Sequence, residues 1–248
     1  MVFDWLNRTE MLLGRKGMLN LSSARILIVG LGGVGAYAAE MICRAGIGSM
    51  TIVDGDRIQS SNRNRQLLAL KSTEGLYKTE VMASRLLDIN PGLRLEVINE
   101  YIKDDSMITV LDKGYDYVVD AIDTLSPKVY LIWHSLMRKY PIVSSMGSGG
   151  KFDPLQISIS DISETSGCSL ARMLRKRLHR LGIREGVTAV WSPEAYDKTR
   201  VLTVTGEQNK ASVVGTISYM PAAFGLACAS VVIRHLANGD HTNIIKAK

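Results

Sequence analysis

Gly30, Gly32, Gly33 and Gly35 fall within six residues, where the apolar run Arg25-Ile26-Leu27-Ile28-Val29 gives way to an Ala-rich stretch, Ala36 to Arg44. A strand, a glycine loop and a helix in that order make a phosphate site. Glycine lets the main chain turn tightly and approach phosphate oxygens, and the helix N-terminus offers free N–H groups and partial positive charge. Asp54 closes the next apolar run, Met50-Thr51-Ile52-Val53, 19 residues beyond Gly35. A carboxylate there can accept ribose hydroxyls. Asp56, Asn62, Arg65 and Gln66 follow, then Lys78, then Asp120 and Asp123 at the end of the run Val118-Val119. Cations, an amide and a carboxylate converging on one nucleotide suit phosphoryl chemistry. The cations balance triphosphate charge, and an aspartate can hold magnesium together with phosphate oxygens. A dinucleotide-dependent hydride transfer would leave most of this set idle.

These residues need a parallel sheet to bring them to one edge. Apolar runs at 25–30, 50–53, 94–98, 116–120 and 141–145 alternate with helical patterns at 34–45, 76–88, 104–111 and 126–139, after an N-terminal helix from Phe3 to Leu13. That alternation predicts an α/β, Rossmann-like, mostly parallel sheet with helices on both faces. After Gly147 to Gly150 the pattern changes. Gln156-Ile157-Ser158-Ile159-Ser160 alternates as an antiparallel strand does, and Gly186 to Trp191 and Thr199 to Val204 read as further strands. The fold class is therefore a parallel core continued by an antiparallel C-terminal portion. The chain reads as one domain, 1–248, with a helical arm over 1–20, a nucleotide-binding core over 21–150 and a substrate and dimerisation portion over 151–248.

The net charge of +6 is concentrated between Arg172 and Arg184. Leu170, Leu174, Leu178 and Leu181 fall at helical spacing there, predicting an amphipathic helix with a basic outer face. Arg175, Lys176 and Arg180 on it are candidates for a phosphodiester surface; a solvated helix face is the alternative. Cys43, Cys168 and Cys228 make no C-x-x-C pair, which argues against structural zinc and a secreted disulfide framework. His134, His179, His235 and His241 show no ligand spacing. The N-terminus lacks the pattern of a signal peptide, so cytoplasm is the expected compartment, with peripheral membrane association left open. Ala211 to Ile233 carries no charged side chain, yet Gly215, Ser218 and Pro221 interrupt its first half. It reads as a core or interface helix from Pro221 to His235, not a stable membrane span.

The spaced set Gly30-x-Gly32-Gly33-x-Gly35, Asp54-x-Asp56, Asn62-x-x-Arg65-Gln66, Lys78 and Asp123 resembles the ubiquitin-activating-like adenylating enzymes, including the molybdopterin and thiamine sulfur-carrier activators. Further segments extend the likeness over most of the chain: Arg8-Thr9-Glu10, Val119-Asp120-Ala121-Ile122-Asp123, Pro127-Lys128 and Gly149-Gly150-Lys151-x-Asp153-Pro154. Together they resemble the tRNA threonylcarbamoyladenosine dehydratase family. That resemblance implies ATP and Mg2+ as cofactors, with the glycine loop under the phosphates and Asp54 on the ribose. It implies phosphate contacts from Asn62, Arg65 and Lys78, with Asp123 on magnesium, and an Arg8 that reaches into the other subunit of a homodimer. The implied reaction adenylates the threonyl carboxylate of a modified tRNA base, after which the substrate's carbamoyl group closes a ring. A sulfur-relay protein is a possible partner, and the loop at Gly147 to Gly150 a possible monovalent-cation site. Where some relatives carry a cysteine after Gly-Val-x, this chain has Ala189, which rules out a thioester at that position. Cys168 is the nearest thiol, with capping or packing as the expected role.

Two other functions share part of this pattern. Adenylation of the C-terminal glycine of a ubiquitin-like sulfur carrier would use the same ATP residues, though many such activators carry paired zinc motifs. A nicotinamide-dependent oxidoreductase or silent dinucleotide-binding module accounts for the glycines and Asp54 only.

Overall fold

Alternate residues of the first strand, β1 (Arg25–Val29), enter two different cores. Ile26 and Ile28 pack on one side of the sheet, Leu27 and Val29 on the other. Only a strand covered on both faces is apolar at every position, and that explains the unbroken run Ile-Leu-Ile-Val. The computed structural model describes residues 4–195, 201–203 and 212–238.

Seven strands form the main sheet: β1, β2 (Ser49–Val53), β3 (Arg94–Ile98), β4 (Tyr117–Asp120), β5 (Ile142–Ser145), β6 (Ser158–Asp161) and β7 (Thr188–Trp191). Their order is β3-β2-β1-β4-β5-β7-β6. All neighbours are parallel except β6, which pairs antiparallel with β7. The order reverses between β1 and β4, so a crevice opens at their carboxyl ends, where such sheets bind ligands. A separate two-stranded antiparallel sheet pairs β8 (Val201–Thr203) with β9 (Ser212–Val214).

Helices α1 (Asn7–Ser23), α2 (Gly35–Arg44), α3 (Lys78–Ile89) and α7 (Tyr219–Asn238) cover one face. The other face carries α4 (Asp104–Leu111), α5 (Leu125–Met137) and α6 (Ser169–Arg180). The α/β reading from the sequence therefore agrees with the structure, as do most element bounds to within about two residues. The first helix differs. It runs on to Ser23 through a bend at Gly14, whose φ of 71° breaks the helix before Met18 and Leu21 carry it onto the core. Phe3, Thr199, Val204, Ala211 and His241 lie outside the described residues.

Among the described residues, α7 alone is long and apolar enough to cross a membrane. Here it is a core helix: Phe224, Cys228, Val231 and Val232 are fully buried. Its closest approach is to α2, where a Cβ on Gly225 would meet the Val34 carbonyl oxygen at 2.5 Å and Tyr37 at 2.8 Å.

Candidate nucleotide-binding site

The glycine loop connects β1 to α2, and its four glycines serve different needs. Gly30 has φ 93°, and an added Cβ would stand 2.7 Å from the Ala121 carbonyl oxygen. A Cβ on Gly35 would overlap the Gly30 carbonyl oxygen, and one on Gly33 would sit 2.8 Å from Pro221. Those three are set by packing. Gly32 differs: the nearest group to its missing side chain is the Gln66 amide nitrogen, at 3.8 Å. Gly32 is thus the open face of the loop, where a phosphate can approach the backbone beside the first turn of α2.

Asp54, at the end of β2, ties this loop down. Its carboxylate accepts from the Leu31 N–H at 2.6 Å and from the Asp56 N–H at 2.8 Å. Burial pushes its carboxyl above the ordinary value, against the pull of nearby Lys78 and the two amides. Lys78 opens α3 and is 4% exposed. Its ammonium lies 2.5 Å from Asp56 and 3.8 Å from Asp54. The Tyr101 hydroxyl also donates to Asp56, and Gly55 leaves room for the Tyr101 ring to lie against the loop. Partial burial and the Asp56 carboxylate hold the Tyr101 hydroxyl above its ordinary range.

Asn62 ends a short 3-10 turn after β2, Ser60–Asn62, and Arg65 and Gln66 follow it. The Asn62 side-chain oxygen Oδ1 caps that turn by accepting from the Gln59 N–H. Arg65 donates to the Ser61 carbonyl at 2.9 Å and to Asn64 at 2.8 Å. Gln66 is the informative member. Its Oε1 is buried with no hydrogen-bond partner, while its amide nitrogen faces Gly32. A buried orphan acceptor costs roughly 1–3 kcal/mol, and a nucleotide hydroxyl or amino group would remove that cost. The site therefore fits a nucleotide on an observation independent of motif.

Asp120 and Asp123 separate in role. Asp120 is fully buried and pairs with Lys128 at 2.8 Å, while accepting from the Ser144 hydroxyl at 2.6 Å and the Ile122 N–H at 3.1 Å. Lys128 in turn donates to the Ile122 carbonyl at 3.0 Å. This pair clamps both polar groups of Ile122 and so fixes the segment carrying Asp123. In the sequence Lys128 stands out only within the segment Pro127-Lys128, with no role attached. The signal was present: positions 128, 131, 132 and 135 share the buried face of α5, and a lysine there needs a partner.

Arg8 stands elsewhere. Leu6, two residues before it, packs against Gly46 just past the end of α2, at the amino edge of the sheet. Within its own chain Arg8 is exposed and on the edge opposite the glycine loop. On α6, Lys176 and Arg180 are exposed, whereas Arg175 is half-buried and donates to the Thr165 carbonyl at 2.7 Å. Arg175 therefore anchors α6 to the turn before it and does not stand on the outer face. Leu181 is 38% exposed and lies just past the end of α6. Cys168 is buried at the start of α6 without a side-chain capping bond, which makes its role packing.

A model of the ThiF family matches residues 6–247. The chain belongs to the ThiF family. Within it, the chain is 37% identical over 245 residues to the tRNA threonylcarbamoyladenosine dehydratase of Escherichia coli K12, covering 92% of this chain and 91% of that one. It is 38% identical over 189 residues to the dehydratase of Bacillus subtilis 168, covering 76% and 74%. The crystal structure of the E. coli dehydratase TcdA in complex with ATP superimposes with a TM-score of 0.87 at 35% identity, covering 96% of this chain and 98% of that one. Membership in the dehydratase branch of this family thus agrees with the resemblance read from the motifs.

Proposed function

We propose that the protein is an ATP-dependent tRNA threonylcarbamoyladenosine dehydratase. The substrate carboxylate attacks the α-phosphorus of ATP, the bond to the β-phosphate breaks and pyrophosphate leaves. An atom of the carbamoyl group then attacks the activated carbonyl carbon and loses its proton. AMP departs with one carboxylate oxygen, so the substrate has lost water. Ring closure is intramolecular, and proximity alone supplies the second nucleophile.

The observation that carries this reading is Lys78, an almost wholly buried ammonium at the same sheet edge as the open face of Gly32. Such a cation, held in place by Asp56, suits the charge of a nucleotide's phosphates, and Arg65 on the same side of the sheet adds the second cation that a triphosphate calls for. When ATP enters, Lys78 and Arg65 are placed to neutralise charge on the phosphates, with Asn62 and Gln66 beside them and Asp54 and Asp56 toward the ribose. Mg2+ fits Asp123, since that ion takes one or two carboxylates plus phosphate oxygens. When bound, it would supply charge neutralisation to the departing pyrophosphate. Arg8, remote from its own loop, completes the site of the second subunit in a homodimer.

The tRNA lies along the α6 face with Lys176 and Arg180, Arg175 bracing the helix. Three buried free cysteines suit a reducing, cytoplasmic setting. A sulfur-relay protein remains a further partner of this assembly. Exchange of labelled pyrophosphate into ATP tests the function. The expected result is exchange that depends on tRNA carrying threonylcarbamoyladenosine. Exchange dependent on a ubiquitin-like carrier would replace the reading with carrier activation. Tight NADH binding with no response to Mg·ATP would overturn both.

A further inference from the structure

A cavity of about 140 Å³ lies beyond the carboxyl end of β5, lined by Gly147, Gly149, Lys151, Cys168, Leu170 and Val214 among others. Strand β5 pairs with β4, whose end leads to Asp123. Adjacent strands are about 5 Å apart, so the cavity borders the nucleotide crevice on its substrate side. Lys151 is 4% exposed, and its ammonium donates to the main-chain carbonyls of Ser192, at 3.1 Å, and Glu194. The Glu194 carboxylate is taken up by the main-chain N–H groups of Phe152 and Asp153, at 2.9 and 3.0 Å. An ammonium has three N–H donors, so one is left for an acceptor in the cavity. The remaining lining is polar at Ser169, apolar at Leu170 and Val214 and bare at the glycines. Burial also holds the Lys151 amine below its ordinary range, against the pull of Cys168 and Glu194.

We propose that this cavity receives the hydroxyl-and-methyl end of the substrate's threonyl group, with Lys151 Nζ donating to the hydroxyl and Leu170 and Val214 covering the methyl. The inference rests on the dehydratase reading above and makes Lys151 a specificity-determining residue. The substrate's carboxylate is required at the α-phosphate and so does not occupy the cavity, and the β-hydroxyl is only two carbons removed from it. The Lys151 ammonium and the Ser169 hydroxyl beside a small apolar wall match a secondary alcohol bearing a methyl group.

The test compares tRNA carrying threonylcarbamoyladenosine with tRNA carrying the 2-aminobutyryl analogue, which lacks only the hydroxyl. Pyrophosphate exchange reads kcat/KM for each. The wild-type protein is expected to favour the threonyl substrate by about ten- to a hundredfold, the usual worth of one charge-assisted hydrogen bond. Lys151→Met should bring that ratio close to one while activity on the analogue persists. Gly147→Val carries the test where Lys151→Met fails to fold. A Cβ there meets only Cys168 Sγ, at 3.7 Å, an ordinary contact, so the added side chain takes up space in the cavity. It should lower kcat/KM for the threonyl tRNA at least tenfold and leave KM for ATP unchanged. Equal use of both tRNAs by the wild type, an unaltered ratio in Lys151→Met, or full activity of Gly147→Val would overturn the pocket. Failure of both tRNAs to support exchange would instead sink the dehydratase reading itself.

Discussion

Replacing Lys128 by methionine removes a charge at a point where water cannot compensate. Both Lys128 and Asp120 side chains are fully buried, 2.8 Å apart. Methionine fills nearly the same volume, so the perturbation is electrostatic and leaves little cavity. Asp120 keeps the Ser144 hydroxyl and the Ile122 N–H but loses its counter-ion. Removing one partner of such a pair costs about 3–5 kcal/mol, because the other charge is stranded. At about 2–4 °C per kcal/mol for a chain of this size, Tm should fall by roughly 6–20 °C. The Ile122 carbonyl is released as well, so the Asp123 segment loosens and KM for ATP should rise. Calorimetry on Lys128→Met, Asp120→Asn and the double variant checks this. The double variant should recover more than half of the loss, since no charge is then stranded. A Lys128→Met protein melting within about 2 °C of wild type, or strict additivity in the double variant, would refute the clamp.

Gly32→Ala should leave Tm within about 2 °C of wild type while raising KM for ATP at least tenfold, because its side chain enters only the nucleotide space. Gly33→Ala should lose about 1–3 kcal/mol by urea titration, since its Cβ must displace Pro221. Glu40, buried in α2, is pushed up by desolvation, but the hydrogen bonds from Arg85 and Arg44 outweigh that and hold its carboxyl below the ordinary value. A depressed carboxylate stabilises the fold above its unfolded pKa, near 4.3, and that contribution disappears as pH falls through the folded value. Glu40→Gln should accordingly cost about 1.5–3 kcal/mol at pH 7 and progressively less below pH 4 in urea titrations. Reversing charge at Lys176 and Arg180 should weaken tRNA affinity and flatten its salt dependence, with ATP binding intact. Unchanged affinity across a salt titration would return α6 to the status of a solvated face.

The parallel core was legible because its strands are buried on both sides and therefore uniformly apolar, and because glycines mark the loop. Asp54, Lys78, Gln66 and Asp123 could be placed at one edge from chain order alone, since strand ends in a parallel sheet point the same way. Arg175 could not be placed. Helical periodicity assigns it to the polar side of α6, but its bond to Thr165 depends on how a preceding turn folds back. Lys128 is marked by its place on the buried face of α5, but its partner lies eight residues upstream on another element. Lys151 was out of reach, because its acceptors are main-chain carbonyls more than forty residues away. The bend at Gly14 likewise required knowing that Met18 and Leu21 reach the core.

Pro221 and Gly225 let α7 press directly on the underside of the phosphate loop, at Gly33 and at the Val34 carbonyl. The last described helix of the chain is thus the anvil beneath its first functional turn. Shortening the protein after β7 would leave a Rossmann half whose loop has lost its backing. Nucleotide occupancy should in turn slow amide exchange in α7.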